Sequence, residues 1–130
     1  MKIQSISLHP LHIPFKVRFR HSSADRSVTQ SVMVIVESDR GYRGIGEGCP
    51  REYVTSENVE SSMLFIEECE EKLRNQINSV GDLEQWVSEQ EVDIDANPAA
   101  WCAVELAILD VLAKENSESV ERTLGLPEVT

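Results

Sequence analysis

The residues equipped for chemistry fall into a few groups. Lys16, Arg18, Arg20 and Arg26, with His21 and Asp25 among them, crowd positive charge into one short stretch. A guanidinium grips a carboxylate or phosphate with paired hydrogen bonds, so this stretch reads either as an anion-binding loop or as an ordinary solvated one. Cys49, Cys69 and Cys102 are odd in number and widely spaced. They lack the Cys-x-x-Cys or Cys/His clustering of a zinc or redox site, and read as reduced, small apolar residues. Glu67, Glu68, Glu70 and Glu71 form an acidic stripe that reads as a solvated helix face, because no His or second carboxylate cluster answers it from a facing element. Gly44, Gly46 and Gly48 alternate, which strips one strand face of side chains. Glycines inside a strand cost stability and mark a bulge or a close approach by another segment or a ligand.

The chain that must position these groups has 130 residues, enough for one domain, with 41% apolar and 27% charged residues. No run approaches the roughly 20 apolar residues of a membrane span. Lys2 and alternating polar residues follow Met1 where a secretory signal would place an apolar core, so the expectation is a globular, cytoplasmic protein with no membrane partner. The formal charge of −11 divides into +3 over residues 1–55, −10 over 56–95 and −4 over 96–130. An acidic balance of this size argues against nucleic-acid binding, which draws its affinity from neutralised phosphates.

The first half reads as strands. Leu11, Ile13, Phe15, Val17 and Phe19 alternate with polar residues as in a half-buried strand, although Pro14 confines that strand to an edge or a bulge. Ile3, Ile6 and Leu8 do not share one parity, so a bulge or break is expected between an opening strand and this one. Arg20–Gln30 has no apolar period and reads as a mobile surface loop. The β-branched run Val32–Val36, the turn residues Ser38-Asp39-Arg40-Gly41 and the strand from Tyr42 to Gly48 predict an antiparallel hairpin within a three-stranded meander. A dinucleotide fingerprint would need the glycine strand to open directly into a helix, and Pro50 and the segment to Thr55 interrupt that context.

The second half reads as helices. Thr55 or Ser56 is placed as the cap of a helix whose first turn carries the acids Glu57 and Glu60, as the macrodipole favours, and which bears Val59, Met63, Ile66, Leu73 and Ile77 at helical spacing. Asp82-Leu83-Glu84-Gln85 resembles a capping box before Trp86 and Val87. Asn97 and Pro98 set the start of a third helix, in which Ala99–Ala113 contains only Glu105 and Asp110 as polar residues. A helix apolar all round is buried on more than one side, so this one is expected to need a partner beyond the sheet. A last helical turn over Glu118–Leu124 ends at Gly125 and Pro127.

This order of features resembles the N-terminal capping domain of the enolase superfamily, in its mandelate racemase and muconate lactonising enzyme branch. The resemblance rests on Gly44-Ile45-Gly46-Glu47-Gly48 together with Ala96-Asn97-Pro98-Ala99-Ala100 and Val104-Glu105-Leu106-Ala107-Ile108-Leu109-Asp110, and it covers the chain. Pro14–Arg20 and Pro50–Glu57 look most like the dipeptide epimerases. The implied fold class is α+β, a three-stranded antiparallel meander followed by three to four helices over residues 1–130, a single domain that stops before the catalytic barrel.

In such enzymes the capping domain closes two loops over the mouth of a (β/α)7β barrel and helps set specificity. The resemblance places Arg20 at a position where some dipeptide epimerases use an arginine on the substrate's side-chain carboxylate. Arg51, Tyr53 and Val54 join it as substrate-binding candidates because they lie in the second loop. The barrel would supply the lysine acid/base pair and the carboxylates for Mg2+, so no catalytic residue, metal ligand or cofactor is assigned to this chain. Glu47, Glu105 and Asp110 are given structural roles: Glu47 ends a strand, and the other two sit on a core helix, where an arginine or backbone groups would satisfy them. The expected function is that of a specificity cap in a Mg-dependent isomerase acting next to a carboxylate, inactive alone. Its partners would be the missing barrel, a small anionic substrate such as an acidic dipeptide, and further copies of itself, met through the Ala99–Ala113 helix or the glycine face of Gly44 and Gly46. The alternative is a free-standing module for small anions or peptides that kept the cap fold.

Overall fold

The computed structural model describes residues 1–21 and 24–128, the stretches 15–21 and 24–29 by their backbone. Three strands, β1 (Ile3–His21), β2 (Ala24–Ser38) and β3 (Arg43–Gly48), form an antiparallel meander in the order β1-β2-β3. The β2–β3 connection is the turn foreseen in the sequence. Gly41 takes φ +85 and donates to the Ser38 carbonyl at 3.0 Å, while Ser38 N donates to the Tyr42 carbonyl at 2.9 Å. Glycine occupies that left-handed position without the Cβ clash that other residues suffer.

Two expectations for the first half are corrected. The opening segment and the Leu11–Phe19 alternation belong to one strand; the irregularity that the parity of Ile3, Ile6 and Leu8 called for is present, but between Ile3 and Ser5 within the opening segment, with another between Pro14 and Phe19. Pro14 does sit on an edge strand. The Arg20–Gln30 loop is absent, since Arg20 pairs with Asp25 and His21 with Ala24, and β2 runs without a break from Ala24 to Ser38. Its backbone ladder needs no apolar period there, because β2 pairs with β3 only from Val32 onward and the earlier residues face β1 alone. Ser22 and Ser23 lie outside the described residues.

Among the described residues six helices follow, α1 (Glu52–Thr55), α2 (Val59–Gln76), α3 (Val80–Glu89), α4 (Glu91–Ala96), α5 (Pro98–Glu115) and α6 (Val120–Thr123), completing the expected α+β class. The caps differ from those read in the sequence. Asn58 caps α2 in a reciprocal box with Ser61, while Thr55 ends α1 and Ser56 adopts φ 64. Ser79 caps α3 by accepting from Asp82 N, and Asp82 accepts in return from Asn78 N at 2.9 Å. Gly125 takes φ +72 just beyond α6, as its reading as a helix stop requires.

The inner sheet face supplies Ile6, Val32, Val34 and Val36 to a core completed by Ile66, Leu73, Val104, Ile108 and Val111. Helix α5 lies along β3, and a Cβ on Gly44, Gly46 or Gly48 would overlap the backbone oxygens of Ala107, Ala103 and Ala99 respectively. The bare strand face therefore serves close helix packing within the domain. The partner beyond the sheet that α5 was expected to need is found within the domain: α2, α4 and α6 pack on it along with β3 and β2, and ten of its residues are buried. Its open side is a narrow stripe including Cys102 and Leu106. Self-association was expected through α5 or the glycine face, and that face is internal.

Candidate functional site

Immediately beyond the glycine strand, Cys49 and Pro50 lead into α1, a single helical turn held by backbone bonds from Val54 and Thr55 to the Arg51 carbonyl, at 3.0 and 2.9 Å. Four residues do not hold a helix by propensity, so its fixing comes from neighbours. The Asn58 side-chain amide donates to Glu52 Oε1 at 3.1 Å. Arg51, Tyr53 and Val54 occupy this turn; Val54 is 68% exposed and Tyr53 36%. Three of the four candidate binding residues thus share one surface turn. Arg20 lies in the paired end of β1, and its side chain is outside the described residues.

A second anchor close to the turn is a residue to which the sequence pattern gives another role. Glu57, read as a first-turn acid of α2, is 2% exposed and points its carboxylate at the start of α5. Its Oε1 accepts from Ala99 N at 3.0 Å and its Oε2 from Ala100 N at 3.1 Å. These amides belong to the first helical turn, which has no intrahelical acceptors for them, and a carboxylate also complements the positive end of the helix dipole. Asn97 holds the N-cap position but makes no cap bond; its amide donates to the Asp93 carbonyl. The contact spans 42 residues, and no local spacing announces it. The absence of a capping acid in the first turn of α5 was the only trace in the sequence.

The carboxylates on α5 are structural. Asp110 Oδ2 accepts from Ile45 N at 2.9 Å and from Lys114 Nζ at 3.1 Å, and Lys114 Nζ also donates to the Arg43 carbonyl at 2.7 Å. Together they cover part of the free edge of β3, whose open amides would otherwise invite another strand. Glu105 Oε2 accepts from Trp101 Nε1 at 2.8 Å. Glu47 Oε1 has the Cys49 thiol as its neighbour, at 3.9 Å. Burial raises the thiol pKa of Cys69, assisted by Asp93 and Glu68, and that of Cys102, assisted by Glu105 and Cys49. Neither is an activated nucleophile, which would need a depressed pKa.

Mg2+ needs convergent oxygen ligands. Among the described residues no group of three His, Cys, Asp or Glu side chains is placed so that it could hold a metal ion, so they do not fit Mg2+. No described helix is long and apolar enough to cross a membrane. What the geometry offers is a surface turn with a cation, an aromatic ring and an aliphatic side chain, fixed from behind by a buried carboxylate. That can bind and orient a ligand.

No protein-family model matches the chain. It is similar to the N-succinyl-L-Arg/Lys racemase of Bacillus cereus, 27% identical over 125 residues, which is 96% of this chain and 34% of that enzyme. It is also similar to the L-Lys-D/L-Arg epimerase of Desulforapulum autotrophicum, 28% identical over 99% of this chain and 34% of that enzyme. In fold it matches the dipeptide epimerase of Methylococcus capsulatus, solved with Mg and the dipeptide L-Arg-D-Lys, at a TM-score of 0.80 and 23% identity, over 96% of this chain and 35% of that one. These relatives are enolase-superfamily enzymes of the mandelate racemase and muconate lactonising type, and the shared stretch is their N-terminal domain. The chain spans about a third of the length of the curated relatives it matches.

Proposed function

We propose that this chain is the specificity cap of a Mg-dependent enolase-superfamily isomerase that removes a proton next to a carboxylate, and that alone it catalyses nothing. The observation that carries this reading is the match of nearly the whole chain to about one third of two enzymes that invert such centres. The cation and the acid/base groups would belong to a barrel domain of the kind found in the relatives, and this chain's own part is recognition. Arg51, Tyr53 and Val54 would present one wall to the substrate, and Arg20 would come from the β1–β2 ribbon. A buried guanidinium can grip a substrate carboxylate with two parallel hydrogen bonds, which suits an acidic dipeptide.

A second substrate class has a specific observation behind it. Both curated relatives are named for Arg- or Lys-containing substrates, so a cationic dipeptide or an N-acylated basic amino acid is the competing ligand. The test is a chimera in which this chain replaces the matching third of the Bacillus cereus racemase, assayed on acidic, neutral and basic dipeptides. The acidic reading expects Arg20→Ala to raise KM for an acidic dipeptide at least tenfold while leaving a neutral one unchanged. Equal loss on all three, or preference for the basic dipeptide, would overturn the role given to Arg20. A folded chimera with no isomerase activity on any dipeptide or N-succinyl amino acid would overturn the cap reading.

A further inference from the structure

Two of the three cysteines, far apart in sequence, lie on segments that the glycine strand brings together. Because Gly48 lacks a side chain, the end of β3 sits so near α5 that a Cβ there would lie 3.3 Å from the Ala103 Cβ and overlap the Ala99 carbonyl oxygen. Cys49 follows Gly48, and Cys102 precedes Ala103. Both are free, Cys102 exposed and Cys49 half-buried beside the exposed Glu47, so small oxidants can reach them.

We propose that Cys49 and Cys102 form an oxidisable thiol pair, a modification site at which a disulfide ties the end of β3, and hence the Arg51–Thr55 turn, to α5. The electrostatics agree with this pairing. The Cys102 thiol has its pKa pushed up first by burial and then by Glu105 and Cys49. Cys69 is raised by burial, then by Asp93 and Glu68. It serves as an internal control.

The chemistry balances with a small-molecule disulfide as oxidant. One cysteine thiolate attacks a sulfur of oxidised glutathione, forms a mixed disulfide and expels one glutathione thiolate. The other cysteine, after losing its proton, attacks the protein-bound sulfur and expels the second glutathione. The two protein thiols lose two protons and two electrons, and the oxidant becomes two molecules of the thiol. Closure requires the two Cα atoms to reach a separation of about 4.4 to 6.8 Å.

The test incubates the 130-residue chain with oxidised glutathione, quenches with an alkylating agent and maps the peptides by mass spectrometry. The expected product has lost two hydrogens, contains a linked Cys49/Cys102 peptide pair and carries the alkyl label at Cys69 alone. C49S and C102S should each stop at a single glutathione adduct on the remaining partner, and dithiothreitol should regenerate the reduced chain. Amide exchange over residues 50–56 should slow at least threefold in the oxidised form. Glutathione resting separately on Cys49 and Cys102 of the unmutated chain, a link to Cys69 or to a second chain, or two thiols that stay alkylatable would each overturn the proposal. Unchanged exchange over 50–56 would overturn its tethering part.

Discussion

The two ends of β2 differ although they share a backbone. From Val32 to Ser38 the strand alternates core valines with half-exposed residues, pairs on both sides and lies over a helix packed to backbone contact. From Ala24 to Ser31 it pairs with β1 alone. Near the first end, the covered edge and the Glu57 clamp fix a surface turn in place. The second is a ribbon whose only sheet neighbour is its hairpin mate. One strand thus belongs at one end to a platform packed to backbone contact with α5 and at the other to a two-stranded ribbon, and the close helix packing is confined to the end where the glycines admit the helix.

The largest effect is expected from adding a side chain to that platform. Gly46→Ala drives a Cβ into the Ala103 carbonyl and toward the Ala107 amide, contacts made of backbone that cannot rotate away. Overpacking of this kind costs about 3 kcal/mol or more, and urea unfolding should show it as a large fall in midpoint. Gly41→Ala, in the turn, meets no neighbouring atom and is strained only by its φ of +85, so it should cost about 1 kcal/mol. If the two variants lose equal stability, the close approach of α5 to β3 is not what holds the platform.

Glu57→Ala comes next. It leaves the amides of Ala99 and Ala100 without acceptors, a penalty of about 1 to 3 kcal/mol for buried donors. It should also speed amide exchange in the Arg51–Thr55 turn. Glu57→Gln keeps one acceptor oxygen and should lose less. An Ala variant with unchanged exchange in that turn would mean that the turn is held by its own bonds.

Asp110→Ala should be milder, about 0.5 to 1.5 kcal/mol, with faster exchange at the Ile45 amide as its specific signature. Arg51→Ala, at a position with no described role in the core, should stay within about 0.5 kcal/mol of the unmutated chain. The alkylation of Cys69 by iodoacetamide should reach half its limiting rate above the ordinary thiol range, because burial and two acidic neighbours favour the uncharged form. The same sign leaves the fold at its full stability with respect to Cys69 at neutral pH, where both folded and unfolded thiols are protonated and the penalised thiolate is absent. Stability is then lost as pH rises past the unfolded thiol's pKa and through the folded one.

Much of the platform was legible in the sequence because its causes are local or periodic. The Ser38–Gly41 turn, the alternating glycines and the Pro98 start of α5 can each be read from neighbouring residues. Burial of α5 was legible as a need, but its partners were not, since the bare glycine face was not matched to the helix that fills it. Glu57 escaped because a cap supplied from 42 residues away leaves no spacing rule behind. The ribbon was misread as a loop because a ladder facing one strand imposes no apolar period. Of the site, Arg51, Tyr53 and Val54 came from resemblance, and the structure adds the shared surface turn that carries them.

The division of labour between this chain and a barrel is tested most directly by following the loss of the α-proton signal of L-Ala-L-Glu and L-Lys-L-Arg in deuterated water with Mg2+. The chain is assayed alone and then fused to the barrel portion of the Desulforapulum autotrophicum epimerase. The chain alone should show no exchange above a heat-inactivated control, and the fusion should exchange at least one dipeptide. Exchange catalysed by the chain alone would contradict that division of labour, as would a folded fusion that exchanges neither substrate.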